Sequence, residues 1–159
     1  IGDPEEVKQN PRNVVDGQFS MAFVAAVVLR QGGLGWDDYE RHLGDPETLA
    51  LCKRVRSVVD PRAEAEFPRQ MSGAARVSTK SGTFETFVAV PKGEPENFLS
   101  AAELRAKFDA LLGPCLAPEA IDRLAEGLDA LDDAEDISGV LRLTRGGPVQ
   151  PLKAAAGGD

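Results

Sequence analysis

The chain has 159 residues, with 26 acidic against 18 basic side chains and a net charge of −8, so it has the size of one domain and can bury a real core. Acids are spread along it and Lys and Arg nowhere cluster, which argues against a nucleic-acid partner or a polybasic membrane anchor. The longest apolar run, Phe19 to Leu29, is about half of the roughly 20 residues that cross a bilayer. No segment has the charged start, apolar centre and small-residue exit of a signal peptide. The first residue is Ile1 rather than Met, so the start is expected to have been cut, processed or left out. Cys52 and Cys115 can be drawn as one disulfide, but their placement suggests no framework. Partly buried free thiols in a reducing cytoplasm are the expectation. One histidine and two distant cysteines cannot make a zinc site.

Residues 1–15, with Pro4, Pro11 and many polar side chains, read as an incoming linker or extended arm. From Phe19 to Arg30 apolar side chains fall on every face, which predicts a helix buried all round, ended by Gly32 and Gly33. A short helix over 36–43 carries Tyr39 and His42. Asp45-Pro46-Glu47 is a helix start, with Asp as N-cap and Pro in the first turn. Leu49, Leu51, Cys52 and Val55 give that helix its apolar side. Val58 and Val59 begin a strand that Asp60-Pro61 interrupts, and residues 63–73 read as a loop.

Two β-rich segments follow, 74–79 and 83–90, joined through Lys80-Ser81-Gly82. Period-two alternation in Ala75, Val77, Thr79 and in Phe84, Thr86, Val88, Val90 marks a hairpin. Pro91 to Asn97 is a rigid loop. Ser100-Ala101-Ala102-Glu103 is a capping box for a helix with Leu104, Phe108, Leu111 and Leu112 on one side, ending at Gly113-Pro114. A second helix starts at Ala117-Pro118-Glu119, with the stripe Ile121, Leu124, Leu128 and Leu131. An acidic turn leads to Ile137, Val140, Leu141 and Leu143. The expected fold class is α+β: a small, mostly antiparallel sheet with a β-hairpin, covered by helices on one side, with one helix fully buried. Residues 16–143 form the domain, and 144–159 are expected to be a disordered tail.

Four segments taken in order carry a resemblance. They are Asn10-Pro11 followed by Asp16-Gly17-Gln18-Phe19-Ser20-Met21-Ala22-Phe23-Val24-Ala25-Ala26; Gly33 through Tyr39 into Asp45-Pro46 and on to Val55-Arg56; Lys80-Ser81-Gly82-Thr83 with Val90-Pro91-Lys92-Gly93-Glu94-Pro95-Glu96-Asn97; and Leu99-Ser100 through Lys107-Phe108. Together they resemble the C-terminal domain of the MmgE/PrpD family, which includes 2-methylcitrate dehydratase, cis-aconitate decarboxylase and iminodisuccinate epimerase. The resemblance implies dehydration, decarboxylation or epimerisation of a small polycarboxylic acid, without metal or organic cofactor. It implies as partner a helical N-terminal domain or subunit that supplies most catalytic groups. Homo- or hetero-oligomers are open, and the isolated chain is expected to be inactive. Dehydratase- and decarboxylase-like members carry a Tyr where this chain has Phe23, and a Phe cannot donate a hydrogen bond.

Four residues are candidate substrate contacts. Phe23 is either a core aromatic or one wall of a cleft. Gln18 and Ser20 stand at a helix start, where free amides favour a carboxylate, though such residues often only cap the helix. Lys92, in a stiff loop between prolines, can attract a polycarboxylate; Lys92-Gly93 lacks the context of a phosphate loop. His42 sits among Asp37, Asp38, Glu40 and Arg41 and reads as solvated, not as a general base. Asp132, Asp133, Glu135 and Asp136 fit no calcium loop and read as a solvated acidic turn. A noncatalytic binding module that kept the fold is the rival reading, and a lyase cannot be separated here from an epimerase-type isomerase.

Overall fold

The computed structural model describes residues 1–145, and the chain divides into two compact units, Ile1–Asn97 and Phe98–Asp159. The first unit opens with two short helices, α1 (Glu5–Lys8) and α2 (Val14–Gln18), followed by the longer α3 (Met21–Gln31). Ser20 caps α3 by accepting the Phe23 N–H, and Gly32 closes it in the left-handed conformation at φ 85°, which glycine adopts without Cβ strain. Residues 1–15 thus include a helical turn, and the Gln9 side chain donates to the Val55 carbonyl.

α4 (Asp38–His42) and α5 (Pro46–Cys52) come next. Asp45 accepts the Thr48 N–H and Pro46 takes the first helical position, as the sequence leads one to expect. Ala22, Phe23, Ala26 and Val27 form one stripe of α3 and pack with Cys52 of α5, ringed by Leu34, Tyr39, Leu43, Leu51 and Val55. The Phe23 ring stacks on Tyr39 with centroids 5.8 Å apart. Gly17 lies against both rings, and a Cβ there would sit 3.1 Å from Tyr39 and 3.3 Å from Phe23. The helix is therefore not buried all round: Met21, Val28 and Leu29 remain exposed. Its apolar composition exceeds what one facing helix can cover, and apolar side chains on a surface are common.

Two further expectations give way. Val58 and Val59 lie in irregular chain and are strongly exposed, not in a strand. The stretch read as loop holds α6 (Pro61–Glu66), started by Asp60 and Pro61 in the same N-cap and first-turn arrangement as α5. The Arg62 guanidinium beside Asp60 holds that carboxyl down to about 2. The hairpin has β1 (Gly73–Thr79) and β2 (Gly82–Val88) in antiparallel register, Thr79 opposite Gly82 and Gly73 opposite Val88. Gly82 takes φ 143° at the turn. The α+β class with an antiparallel sheet is what the structure has.

In the second unit, α7 (Ala101–Leu112) begins with the expected capping box, Ser100 and Glu103 each satisfying the other's backbone N–H. α8 (Pro118–Asp129) buries Ile121 and Leu124, and α9 (Ser138–Leu143) packs beside it. Gly127 permits that approach, since a Cβ there would stand 3.1 Å from Val140. Arg105 ties α7 to α8, binding Asp109 at 2.7 Å and also Asp122. Most of the expected tail, residues 146–159, lies outside the described residues.

Truncating Phe23, which has no exposed surface, removes the largest member of the α3–α5 core. Phe23→Ala is expected to cost about 3–5 kcal/mol in urea unfolding, against about 0.5 kcal/mol or less for Met21→Ala on the exposed face. Equal losses from the two would show that α3 does not bury this stripe.

Candidate functional site

The densest polar arrangement in the first unit joins the C-terminal end of α3 to the start of α5. α3 is apolar until Arg30, which its last turn delivers toward Asp45, Glu47 and Thr48. A cation suits a helix C-terminus and acids suit a helix N-terminus, so the two ends attract before any contact forms. Arg30 bonds Asp45 through Nη1 and Glu47 through Nη2 at 2.7 Å, and Nη1 also donates to the Thr48 hydroxyl. Gly44, at φ 82°, makes the turn that brings Asp45 back toward α3.

Thr48 and His42 are buried at the centre of this joint. The Thr48 hydroxyl gives its one proton to Asp45 at 2.7 Å, so its lone pairs must accept from Arg30 and from His42 Nδ1, 2.9 Å away. Nδ1 is therefore assigned as a protonated ring nitrogen. On the other side of the ring, Nε2 meets the Gln31 side-chain amide at 3.0 Å. The expectation of a solvated His42 is thus wrong: the residue is 7% exposed, and partners from α3 and α5 occupy both nitrogens. It has no free nitrogen to offer a substrate. Its role here is to join helices.

The acids around it are held charged. The Thr48 hydroxyl and N–H, then Arg30, keep the Asp45 carboxyl below the usual carboxylate range. The Gln31 amide, the Gly35 N–H and Arg41 do the same for Asp38, whose Oδ2 accepts from Gly35 at 2.6 Å and whose Oδ1 pairs with Arg41 at 3.0 Å. Burial pushes the Cys52 thiol up, and Cys52 and Cys115 are both free thiols.

The residues singled out from sequence occupy different places. Ser20 is fully buried; its hydroxyl donates to the Lys8 carbonyl and accepts the Phe23 N–H at 3.0 Å. Phe23 is likewise without exposed surface and belongs to the α3–α5 core. Gln18 is exposed at the end of α2. Beside that turn, Glu6, Val7, Asn10, Arg12 and Asp16 line a depression of about 450 Å³. Lys92 is exposed in the turn after β2, where Gly93 donates to the Asn97 carbonyl at 2.9 Å. Sequence reasoning missed Arg30, Gln31 and Thr48. The available signal was a lone cation ending an apolar helix, followed by an acid-rich helix start.

Among the described residues no group of three or more His, Cys, Asp or Glu is placed to hold a metal ion, and no helix is long and apolar enough to cross a membrane. Comparison with known proteins matches residues 1–133 to the MmgE/PrpD C-terminal domain. A cis-aconitate decarboxylase-like protein, oryM of Aspergillus oryzae, is 28% identical over 147 residues, covering 90% of this chain and 29% of that protein. The chain thus spans under a third of the length of this relative.

Thr48→Val keeps the shape of the side chain and removes the shared hydroxyl. It is expected to destabilise the chain by about 1–3 kcal/mol, because it leaves the buried His42 Nδ1 without its acceptor. Denaturant unfolding with an unchanged m-value would read this out; a loss below about 0.5 kcal/mol would mean that Thr48 is not the hub. Asp45 and Asp38 titrate lower folded than unfolded, so their contribution is complete above the unfolded value near 3.9. It is lost as pH falls through the folded value. The melting temperature should therefore fall below about pH 4, and more gently in Asp45→Asn; parallel curves for the two proteins would refute the assignment.

Proposed function

Because the chain belongs to the MmgE/PrpD family through that family's C-terminal domain, we propose that it forms one part of a lyase acting on a small polycarboxylic acid. In this reading a helical N-terminal domain or subunit of the same family completes the active site. The observation that carries the proposal is the state of His42. The chain has one histidine, and both its nitrogens are bound within the α3–α5 joint. Proton transfer next to a carboxylate needs a base within reach of the substrate and donors that hold the developing negative charge. In this proposal the base comes from the partner.

What the chain supplies is a surface. Gln18 ends α2 just before α3, Arg12 stands just before α2, and Lys92 lies on the turn beyond the hairpin; amide and cationic groups of this kind suit carboxylate oxygens. Ser20 and Phe23 act inside the fold, capping α3 and filling its core. A tricarboxylate such as cis-aconitate fits this chemistry and agrees with the name of the relative. Dehydration of 2-methylcitrate and an epimerase-type isomerisation share the same requirement. The resemblance implies no metal and no organic cofactor, and the two free thiols suit a reducing cytoplasm.

Phe23 favours a second reading, a noncatalytic binding module. Its ring offers no hydroxyl where dehydratase- and decarboxylase-like members carry a Tyr. The two readings separate in one assay, with cis-aconitate and 2-methylcitrate offered to the chain alone and to the chain mixed with a helical N-terminal MmgE/PrpD domain. The lyase reading expects background turnover from the chain alone and measurable turnover from the mixture. Turnover by the chain alone would remove the need for a partner. Binding of the helical domain with no turnover of either acid would leave the noncatalytic reading standing.

A further inference from the structure

The depression of about 450 Å³ lined by Glu6, Val7, Asn10, Arg12 and Asp16 is framed by anchored backbone. On one side α1 is tied to the rest of the unit. The Gln9 amide donates to the Val55 carbonyl at 2.9 Å, the Ser20 hydroxyl donates to the Lys8 carbonyl, and Glu5 pairs with Arg56 at 2.9 Å. On the other side Asn13 caps α2, and Pro11, between Asn10 and Arg12, is buried. Walls anchored in this way are in place before anything binds, which lowers the cost of binding.

The side chains that line it are uncommitted. Arg30, Arg56, Arg62 and Arg105 each hold a carboxylate. Arg12 differs: its guanidinium has no partner among the described residues, although Glu6 and Asp16 line the same depression. The Glu6 carboxylate and the Asn10 side-chain amide likewise have none among those residues. Asp16 is already served, its Oδ2 accepting the Arg12 N–H at 3.1 Å and the Asn13 amide at 3.0 Å. What remains is one cation and one anion held apart in one hollow, with a neutral amide and the exposed side chain of Val7 beside them.

That charge pattern selects the ligand. A molecule of one sign is drawn by half of the site and repelled by the other half, so a bridging molecule carries both signs. A carboxylate matches the planar fork of Arg12, and an ammonium donates to Glu6. We infer that this depression binds the zwitterion of a small α-amino acid with an apolar side chain: carboxylate on Arg12, ammonium on Glu6, side chain against Val7. Asn10 adds an amide able to bond either charged end. No internal ion pair has to break first. The inference goes beyond the lyase reading and does not rest on it. A polycarboxylate brings negative charge alone and meets Glu6 and Asp16 here, so this site is distinct from a contact that such an acid makes with Gln18 or Lys92.

Calorimetric titration of the 159-residue chain with L-valine tests the assignment without reference to turnover. A dissociation constant on the order of 1 mM is expected for so small a ligand. Isovalerate, which lacks the ammonium, and isobutylamine, which lacks the carboxylate, should each bind weaker by roughly tenfold or more. Arg12→Met and Glu6→Gln should weaken valine to the same degree and leave the melting temperature unchanged, because both side chains are exposed and without partners in the fold. The two valine fragments are measured on the unaltered chain, so they decide the matter even where a variant folds poorly. Absence of valine binding, isovalerate or isobutylamine binding as well as valine, or valine binding unchanged by Arg12→Met or by Glu6→Gln would overturn the inference. A chain that binds valine but turns over no acid with its helical partner would sink the lyase reading alone.

Discussion

One charged side chain at the end of an apolar helix organises the first unit. α3 packs its stripe of Ala22, Phe23, Ala26 and Val27 against Cys52 of α5, and such packing alone leaves helices free to slide, because dispersion is not directional. Arg30 removes that freedom. It reaches Asp45, Glu47 and Thr48 at once, so the end of α3 meets the first turn of α5 in one arrangement. Asp45 serves twice, as N-cap of α5 and as counter-ion of Arg30. Moving either helix by one residue would therefore pull Arg30 off Asp45, Glu47 and Thr48 together. His42 brings α4 into the same joint through Thr48 and Gln31.

That dependence explains which features were legible in the sequence. Helix starts were, because an N-cap and the N–H it satisfies lie within three residues of each other: Asp45 with Thr48, Ser100 with Glu103. The left-handed stop at Gly32 and the hairpin turn at Gly82 are equally local. Asp60-Pro61 repeats the signal of Asp45-Pro46, yet it reads as a break in a strand, since Val58 and Val59 before it have strong β propensity. Propensity is a weak guide where no neighbouring strand pairs with the segment.

The environment of His42 was not legible, for the opposite reason. Its near neighbours in sequence, Asp37, Asp38, Glu40 and Arg41, describe a solvated segment. Its bonding partners Gln31 and Thr48 lie eleven and six residues away on other helices. Burial of a polar side chain is decided by tertiary partners able to satisfy it, and those partners are themselves ordinary in sequence. The same holds for Ser20 and Phe23. Both belong to the segment that marks the family, and both turn inward. Gln18, two residues before Ser20, is exposed instead.

A division of labour follows between the inside and the outside of α3. Its inner face and its end are fully committed: the apolar stripe to α5, Ser20 to capping and to Lys8, Arg30 to the joint. Neither Ser20 nor Arg30 can be withdrawn to contact a substrate without leaving its hydrogen-bond partners in the joint and at the cap short of one bond, at a cost of the order of 1–3 kcal/mol each. The outer residues near its start carry no such commitment. Binding to them would cost the fold little, because exposed side chains lose only rotamer freedom on contact. Retaining the α3 segment therefore need not mean retaining chemistry on its side chains. The segment's first demand is physical, a rigid helix whose start stands at a defined height above a fixed core.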